Sequence, residues 1–326
     1  MTGSTPPPRV LVAVLTFRRV EELSRLLPVL VGQAESATAA RARVLVVDND
    51  PAGSAEPVVG AHVGDVRYVH EPRPGIAAGR NRALAEGAGC DAVVFVDDDE
   101  VPAPGWLDAL VDAWTRWGCA GVAGPVVSTW EGTLDPWLEA SGTFARPRRT
   151  TGSVLPGAAT NNLLLDLRIL RRTGTTFDDA FGLTGGSDTM LTRELVARGE
   201  QLRWCDEAEV LEAVPADRLT REFVLRRHLR TGTTWSRVHL ALRRRGLPGG
   251  RTRTGLALRG AALIGRGAAL LVRPRVADRS RGACRLASGA GVLLGAIGLR
   301  YTEYARPRTP GGQRRTSPTR WTSTSP

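Results

Sequence analysis

The order of short apolar runs along the first half of this 326-residue chain fixes most of what it can fold into. Val10–Thr16 is apolar and rich in β-branched residues, as a strand buried on both faces would be. Glu21–Val31 carries Leu23, Leu26, Leu27 and Leu30 at helical spacing. Val44–Val47 and Val66–Val69 predict two more strands, and Gly75–Ala88 a helix entered at Gly75 after Pro74. Ala92–Val96 is a further buried strand and runs straight into Asp97, Asp98, Asp99 and Glu100. A helix over Pro104–Trp117 and a strand over Gly121–Val127 complete the series. Strands alternating with helices imply βαβ units. The expected fold is therefore α/β, with a mostly parallel sheet covered by helices on both faces.

Ligands of such sheets bind outside the carboxyl ends of the strands. Thr16, Asp48 and Asp97–Asp99 each fall at such an end. Beyond about Thr129 the pattern loosens. Residues 145–153 predict an exposed loop, Gly157–Leu165 a strand, and Asp166–Thr173 a short helix capped by Asp166. Gly185 and Gly186 precede a helix expected from about Thr189 to Arg198.

Charge divides the chain. Residues 1–215 carry 20 Arg against 29 Asp and Glu, whereas residues 216–326 carry 24 Arg against 4 acidic residues. The acidic body thus bears a basic C-terminal appendage of net charge +20, which suits a polyanionic partner. Arg221–Arg245 reads as a basic helix. Gly255–Val272 and Gly282–Leu299 are apolar but short and interrupted by Arg, so they predict interfacial or hairpin-like helices rather than single spans. The expected organisation is a flexible N-terminus (1–8), a main domain (9–245), basic apolar helices (246–305) and a disordered tail (306–326) rich in Pro, Arg, Ser and Thr.

Every basic side chain that titrates high is Arg; the sequence has no Lys. That excludes a Schiff-base lysine and a P-loop of the G-x-x-x-x-G-K-[ST] type. Cys90, Cys119, Cys205 and Cys284 form neither a C-x-x-C pair nor a Cys/His zinc spacing, and read as reduced, buried thiols. With no signal-peptide pattern in residues 1–15, the expected location is cytoplasmic.

Three successive aspartates after a buried strand repel one another unless a cation neutralises them. Oxygen donors favour Mg2+ or Mn2+, and Mg2+ is commonly held by one or two carboxylates together with substrate phosphates. The run Asp97, Asp98 and Asp99 is the candidate metal site.

The stretches VLVAVLTFRR, VLVVDNDPAGS, YVHEPRPGIAAGRNRAL and AVVFVDDDEVPAPGWL, in this order, resemble family 2 glycosyltransferases of the GT-A fold, a Rossmann-like architecture. The resemblance covers roughly residues 9–235. HEPRPGIAAGRN is most similar to bacterial exopolysaccharide glucosyltransferases of the succinoglycan-assembly kind. The resemblance implies that Thr16, Phe17 and Arg18 line the nucleotide pocket and that Asp48 contacts the donor base. It implies that Arg80 and Asn81 face the donor, and that Asp97, Asp98 and Asp99 form the DXD-type motif. Asp188 would be the catalytic base, with Ser187 in place of the family's usual Glu. Glu212 would lie near the metal, and Arg227 and Arg230 would neutralise diphosphate or acceptor. Plain structural readings stand beside several of these: a turn for Asp48, a helix cap for Asp188, surface exposure for Arg80 and a basic helix face for Arg227 and Arg230.

The implied reaction is an inverting transfer from a nucleotide-diphosphate sugar, UDP-sugars favoured, to a glycan or lipid-linked acceptor. The basic appendage would hold the protein peripherally at the anionic inner face of the plasma membrane. Two rivals remain. A nucleic-acid-binding protein would use the Arg-rich arm, but no zinc spacing or RNP pattern accompanies it, so no nucleic acid is expected. A catalytically inactive homologue would bind donor without transfer.

Overall fold

The computed structural model describes residues 6–62, 64–146, 148–301 and 321–322. Most of the expected N-terminal and C-terminal flexible segments lie outside these residues. In chain order the elements begin with β1 (Arg9–Thr16), α1 (Val20–Ser36), β2 (Arg41–Asp48), α2 (Glu56–Ala61) and β3 (Val66–His70). Next come α3 (Ile76–Glu86), β4 (Ala92–Asp97), β5 (Glu100–Pro102), α4 (Trp106–Trp117), β6 (Gly121–Ala123) and β7 (Val126–Thr129). Then follow α5 (Pro136–Ser141), β8 (Val154–Leu155), β9 (Asn162–Asp166), α6 (Leu167–Thr173), α7 (Ser187–Ala197), β10 (Leu202–Trp204) and β11 (Val210–Ala213). Three long helices, α8 (Arg221–Arg244), α9 (Arg253–Leu271) and α10 (Val276–Ala296), precede a small pairing of β12 (Arg300–Tyr301) with β13 (Trp321–Thr322).

The chain forms two compact units. The first holds the described residues up to Thr129 with Arg146–Asp179 and Ser187–Ala213. It is built on an eight-stranded sheet in the order β3-β2-β1-β4-β9-β6-β10-β8. The four strands from β3 to β4 run parallel. β9 runs antiparallel to both β4 and β6, so the sheet is mixed beyond β4. Alternation along β1 explains the layers. Val10, Val12 and Val14 face α1 and α4 in one core, with Leu23, Leu27, Trp106 and Leu110. Leu11 and Ala13 face the opposite core, with Ala77 and Ala83 of α3 and Leu191 and Leu195 of α7. Helices cover both faces, as the sequence requires.

The expected strand over Gly121–Val127 is two strands. β6 belongs to the large sheet, and β7 joins a three-stranded sheet in the order β5-β11-β7. The break falls at Gly124-Pro125. A Cβ on Gly124 would lie 2.0 Å from the Ala208 carbonyl oxygen, and Pro125 has no N–H for a ladder. Asn162 holds the crossing together. Its Nδ2 donates to the carbonyls of Pro125 (3.0 Å) and Ala208 (2.7 Å), and its Oδ1 accepts from Trp106 Nε1 (2.9 Å).

The second unit gathers Trp130–Ala145, Ala180–Gly186 and the described residues from Val214 onward. Its backbone is the α8–α9–α10 assembly, packed through glycines. A Cβ on Gly291 would meet the Leu229 carbonyl oxygen at 2.0 Å, and one on Gly267 the Gly282 carbonyl oxygen at 2.8 Å. Ser280 Oγ, wholly buried, donates to the Trp137 carbonyl of α5 at 2.6 Å. Among the described residues no helix is long and apolar enough to cross a membrane.

Asn162→Leu would leave two carbonyls and an indole N–H without partners in a dry interior. Its unfolding free energy should fall by roughly 2–4 kcal/mol in urea titrations. A loss below about 0.5 kcal/mol would mean that the amide does not hold the two sheets in register.

Candidate active site

The parallel strands bring three polar termini to one edge of the sheet. Thr16 pairs in register with Asp48 on one side, and Leu15 with Asp97 on the other. Neighbouring strands are about 4.8 Å apart, so Asp48 and Asp97 flank β1 at a separation of roughly 10 Å. β9 starts at this same edge, Asn162 lying opposite Val96, which adds Asn161 and its neighbours to the rim.

The acidic run after β4 is the electrostatic centre. Asp98 is buried, Asp97 and Asp99 are half-buried. Burial pushes the Asp97 carboxyl up to about 6; Arg80 opposes this, while Asp99, Asp98 and Asp188 reinforce it. Asp98 is also raised, by burial, against the pull of Arg19. The Arg19 guanidinium bridges the run, with Nη1 2.7 Å from Asp98 and 2.8 Å from Asp99. Burial would lower the Arg19 pKa, but the charges of Asp98 and Asp99 more than reverse this and raise it. The Thr16 hydroxyl is buried and falls short of a well-formed hydrogen bond, yet it favours the ionised form of Asp98.

Arg80 and Asp188 complete this group. Arg80, on α3, is buried and stacked over Phe177 at 5.6 Å, and its Nη1 donates to Ser187 Oγ at 3.0 Å. Ser187 accepts without neutralising, so the Arg80 charge serves the carboxylates. α7 begins at Ser187, two residues earlier than the sequence indicates. Asp188 therefore sits within the first turn instead of capping the helix, and its Oδ1 accepts from the Thr189 N–H at 2.6 Å. A carboxylate there is favoured by the helix dipole.

Other predicted residues take different places. Asp48 is fully buried. Oδ1 accepts from the Asp50 N–H (2.8 Å), and Oδ2 from the Ala55 N–H (2.7 Å) and Tyr68 Oη (3.2 Å). It holds the loop that follows β2, the turn role its sequence context allows. Phe17 is 39% exposed, and Arg18 is the sole non-glycine residue with positive φ among those described, at 58°. That conformation costs about 1–2 kcal/mol and is held by an ion pair of Arg18 Nε with Asp50 (3.1 Å). Asn81 is engaged elsewhere. Its amide bonds both the carbonyl (2.8 Å) and the N–H (2.9 Å) of Phe177, clamping the residue on which Arg80 stacks. Glu212 lies on β11, where Arg146 (2.6 Å) and Ser128 (3.3 Å) donate to it. Arg227 and Arg230 are half-buried on α8 of the second unit.

Two functional groups escape sequence reasoning. Arg19 is the N-cap residue of α1, where a positive charge opposes the helix dipole. That mismatch was the available signal of an acidic partner elsewhere. Glu100 is buried and pairs directly with Glu212 across β5 and β11. Like charges so placed are unfavourable. Burial, then the Asp97 charge, drives the Glu100 carboxyl well above its usual range, while Asn161 donates to it at 2.9 Å.

Hard, oxygen-only donors with surplus negative charge suit a divalent cation such as Mg2+ or Mn2+. Among the described residues no three carboxylate, His or Cys groups are gathered around one point, and Glu212 does not join Asp97 and Asp99. This donor set matches a cation that takes one or two carboxylates and completes its shell from substrate phosphates.

A family profile described as Glycosyl transferase family 2 matches residues 11–174. The chain is 34% identical over 299 residues to the succinoglycan biosynthesis protein ExoM of Rhizobium meliloti (strain 1021), covering 90% of this chain and 94% of that protein. It therefore belongs to glycosyl transferase family 2. A 96-residue stretch is 43% identical to the pre-mycofactocin glycosyltransferase of Mycobacterium tuberculosis (strain CDC 1551 / Oshkosh), covering 28% of this chain and 19% of that one. Among solved structures, the mannosyltransferase PcManGT of Pyrobaculum calidifontis in complex with GDP-Man and Mn2+ superposes with a TM-score of 0.54 at 20% identity, over 89% of this chain and 88% of that one. GalNAc-T7 with UDP, GalNAc and Mn2+ gives 0.53 at 13% identity, over 71% and 47%. These two likenesses establish the fold.

Arg19→Gln removes a cation shared by two aspartates. In metal-free buffer it should lower stability by about 1–2 kcal/mol, less than for a fully buried pair because the Arg19 side chain is 37% exposed. Added Mn2+ should restore more stability to the variant than it gives the wild type, as read by chemical denaturation. Equal responses of the two proteins to Mn2+ would count against Arg19 as the group that balances the run.

Proposed function

We propose that this enzyme moves a hexose, with inversion, from a nucleotide-diphosphate sugar to a glycan or lipid-linked acceptor in cell-surface polysaccharide synthesis. One observation carries the proposal: Asp97 ends β4 at the carboxyl edge of the sheet, where Arg80 from α3 donates at 3.0 Å to Ser187, the neighbour of Asp188 at the start of α7. The kinship with a succinoglycan biosynthesis protein supports exopolysaccharide assembly as the setting. UDP-sugars are the first donors to assay and GDP-sugars the second, since the two structural neighbours hold UDP and GDP-Man.

In this reaction Asp188 takes the proton from the acceptor hydroxyl. The freed oxygen pair attacks the anomeric carbon from the face opposite the leaving group. The bond from that carbon to the phosphate oxygen breaks, and the nucleoside diphosphate departs. Asp99, with Asp97, would hold Mg2+ or Mn2+, and the bound cation would neutralise the departing diphosphate. Arg80 opposes the burial and repulsion that raise the Asp97 carboxyl, and its Nη1 donates to Ser187 next to Asp188. Asp48 fixes the loop after β2 through three accepted hydrogen bonds, and its carboxylate keeps acceptor capacity for the N–H of a donor base. Net charge supports the rest of the assignment: the +20 stretch over residues 216–326 suits an anionic surface at the inner face of the plasma membrane, where lipid diphosphate acceptors reside.

A donor panel with Mn2+ or Mg2+, read by released nucleotide, tests this. Asp188→Asn should lower kcat by roughly a thousandfold with donor affinity retained. Asp99→Asn should weaken metal-dependent donor binding as well as turnover. An Asp188→Asn enzyme within about tenfold of wild type would remove Asp188 from the role of base.

A further inference from the structure

The second unit presents a helix face that the glycosyl-transfer chemistry leaves unused. α9 buries one side against α10 through Gly260 and Gly267, where a Cβ would come within 3.0 Å and 2.8 Å of the Gly289 and Gly282 carbonyl oxygens. On the opposite side Leu258, Ala261, Ala262, Ala268, Ala269 and Val272 are exposed. At 3.6 residues per turn these positions fall on one stripe along the whole helix. Leu258 is 68% and Val272 85% exposed, among the highest values for aliphatic side chains in the molecule. Arg259, Arg266 and Arg273, spaced by seven, run along one edge of the stripe, and all three are exposed.

Charge identifies what covers this face. Residues 253–299 contain eight Arg and a single acidic residue, Asp278. A second copy of the chain would bring the same positive field and be repelled. Nucleic acid would satisfy the arginines but gains nothing from an aliphatic stripe. An anionic bilayer satisfies both, with headgroup phosphates on the Arg edge and the interface around the apolar stripe. At 19 residues with internal arginines α9 does not span, so it would lie in the plane of the surface.

We propose that α9 is the membrane-contacting element of this enzyme, lying flat on an anionic phospholipid surface with the Leu258–Val272 stripe inward and the Arg266–Arg273 edge on the headgroups. This rests on the membrane-side acceptor only for the choice of partner and is measured apart from catalysis.

The experiment is sedimentation of the full chain with vesicles of phosphatidylcholine, alone or mixed with phosphatidylglycerol. The wild type should partition strongly to mixed vesicles and weakly to neutral ones. Ala262→Glu/Ala269→Glu should bind mixed vesicles about tenfold or more weakly, with its thermal melt and donor turnover on a soluble acceptor unchanged. Should that pair perturb folding, Leu258→Ser/Val272→Ser makes the same test at two large aliphatic residues of the stripe. Arg266→Gln/Arg273→Gln should abolish the preference for phosphatidylglycerol. The proposal is overturned if the stripe variants bind like wild type, or if wild type binds no vesicle. It is equally overturned if the stripe variants split a dimer seen by ultracentrifugation, or if salt-sensitive DNA retention replaces vesicle binding. Loss of turnover with intact vesicle binding would instead strike the catalytic assignment.

Discussion

Everything at the active edge follows from placing three carboxylates in sequence at the end of a strand that has no water on either face. Burial and mutual repulsion raise the cost of ionisation, and the structure meets that cost with two guanidinium groups reached from different directions. Arg80 approaches from α3 and stacks on Phe177, while Arg19 approaches from the start of α1. The clamp of Asn81 on Phe177, the reciprocal ion pair of Arg18 with Asp50 and the buried carboxylate of Asp48 hold the surrounding loops. Each spends a polar group on the geometry of the loops around the acidic run.

How much of this was legible depends on sequence separation. The strands β1, β2 and β4 and their polar ends are written locally, as apolar runs that stop at Thr16, Asp48 and Asp97. The cap at Asp166, which accepts from the Arg168 and Ile169 N–H groups, is likewise a local pattern. Arg19 carries only one local mark, a cation at a helix start, because its partners lie 79 and 80 positions away. The clamp of Asn81 on Phe177 spans 96 positions, so no local pattern shows it. The facing of Glu100 and Glu212 depends on the register of β5 with β11, which no periodicity reveals. Gly124-Pro125 did carry a break signal, but its meaning required a second sheet for the chain to enter.

The second unit obeys a different rule. Its helices meet through glycine, so backbone nearly touches backbone, and shape rather than side-chain volume decides the packing. Glycine serves two sides of α10, Gly282 and Gly289 against α9 and Gly291 and Gly295 against α8, while Arg279, Arg281 and Arg285 stay exposed. An Arg-rich, nearly acid-free exterior is compatible with such an interior because the charges never enter it.

The Asn162 amide has a wider effect than its size suggests. It binds a strand of the large sheet to the turn where the chain departs for the small one, and to a tryptophan of α4 beneath. Loss of that amide would therefore loosen both sheets at one point, beside the edge where Asp97 ends a strand of the large sheet and Glu100 begins one of the small sheet.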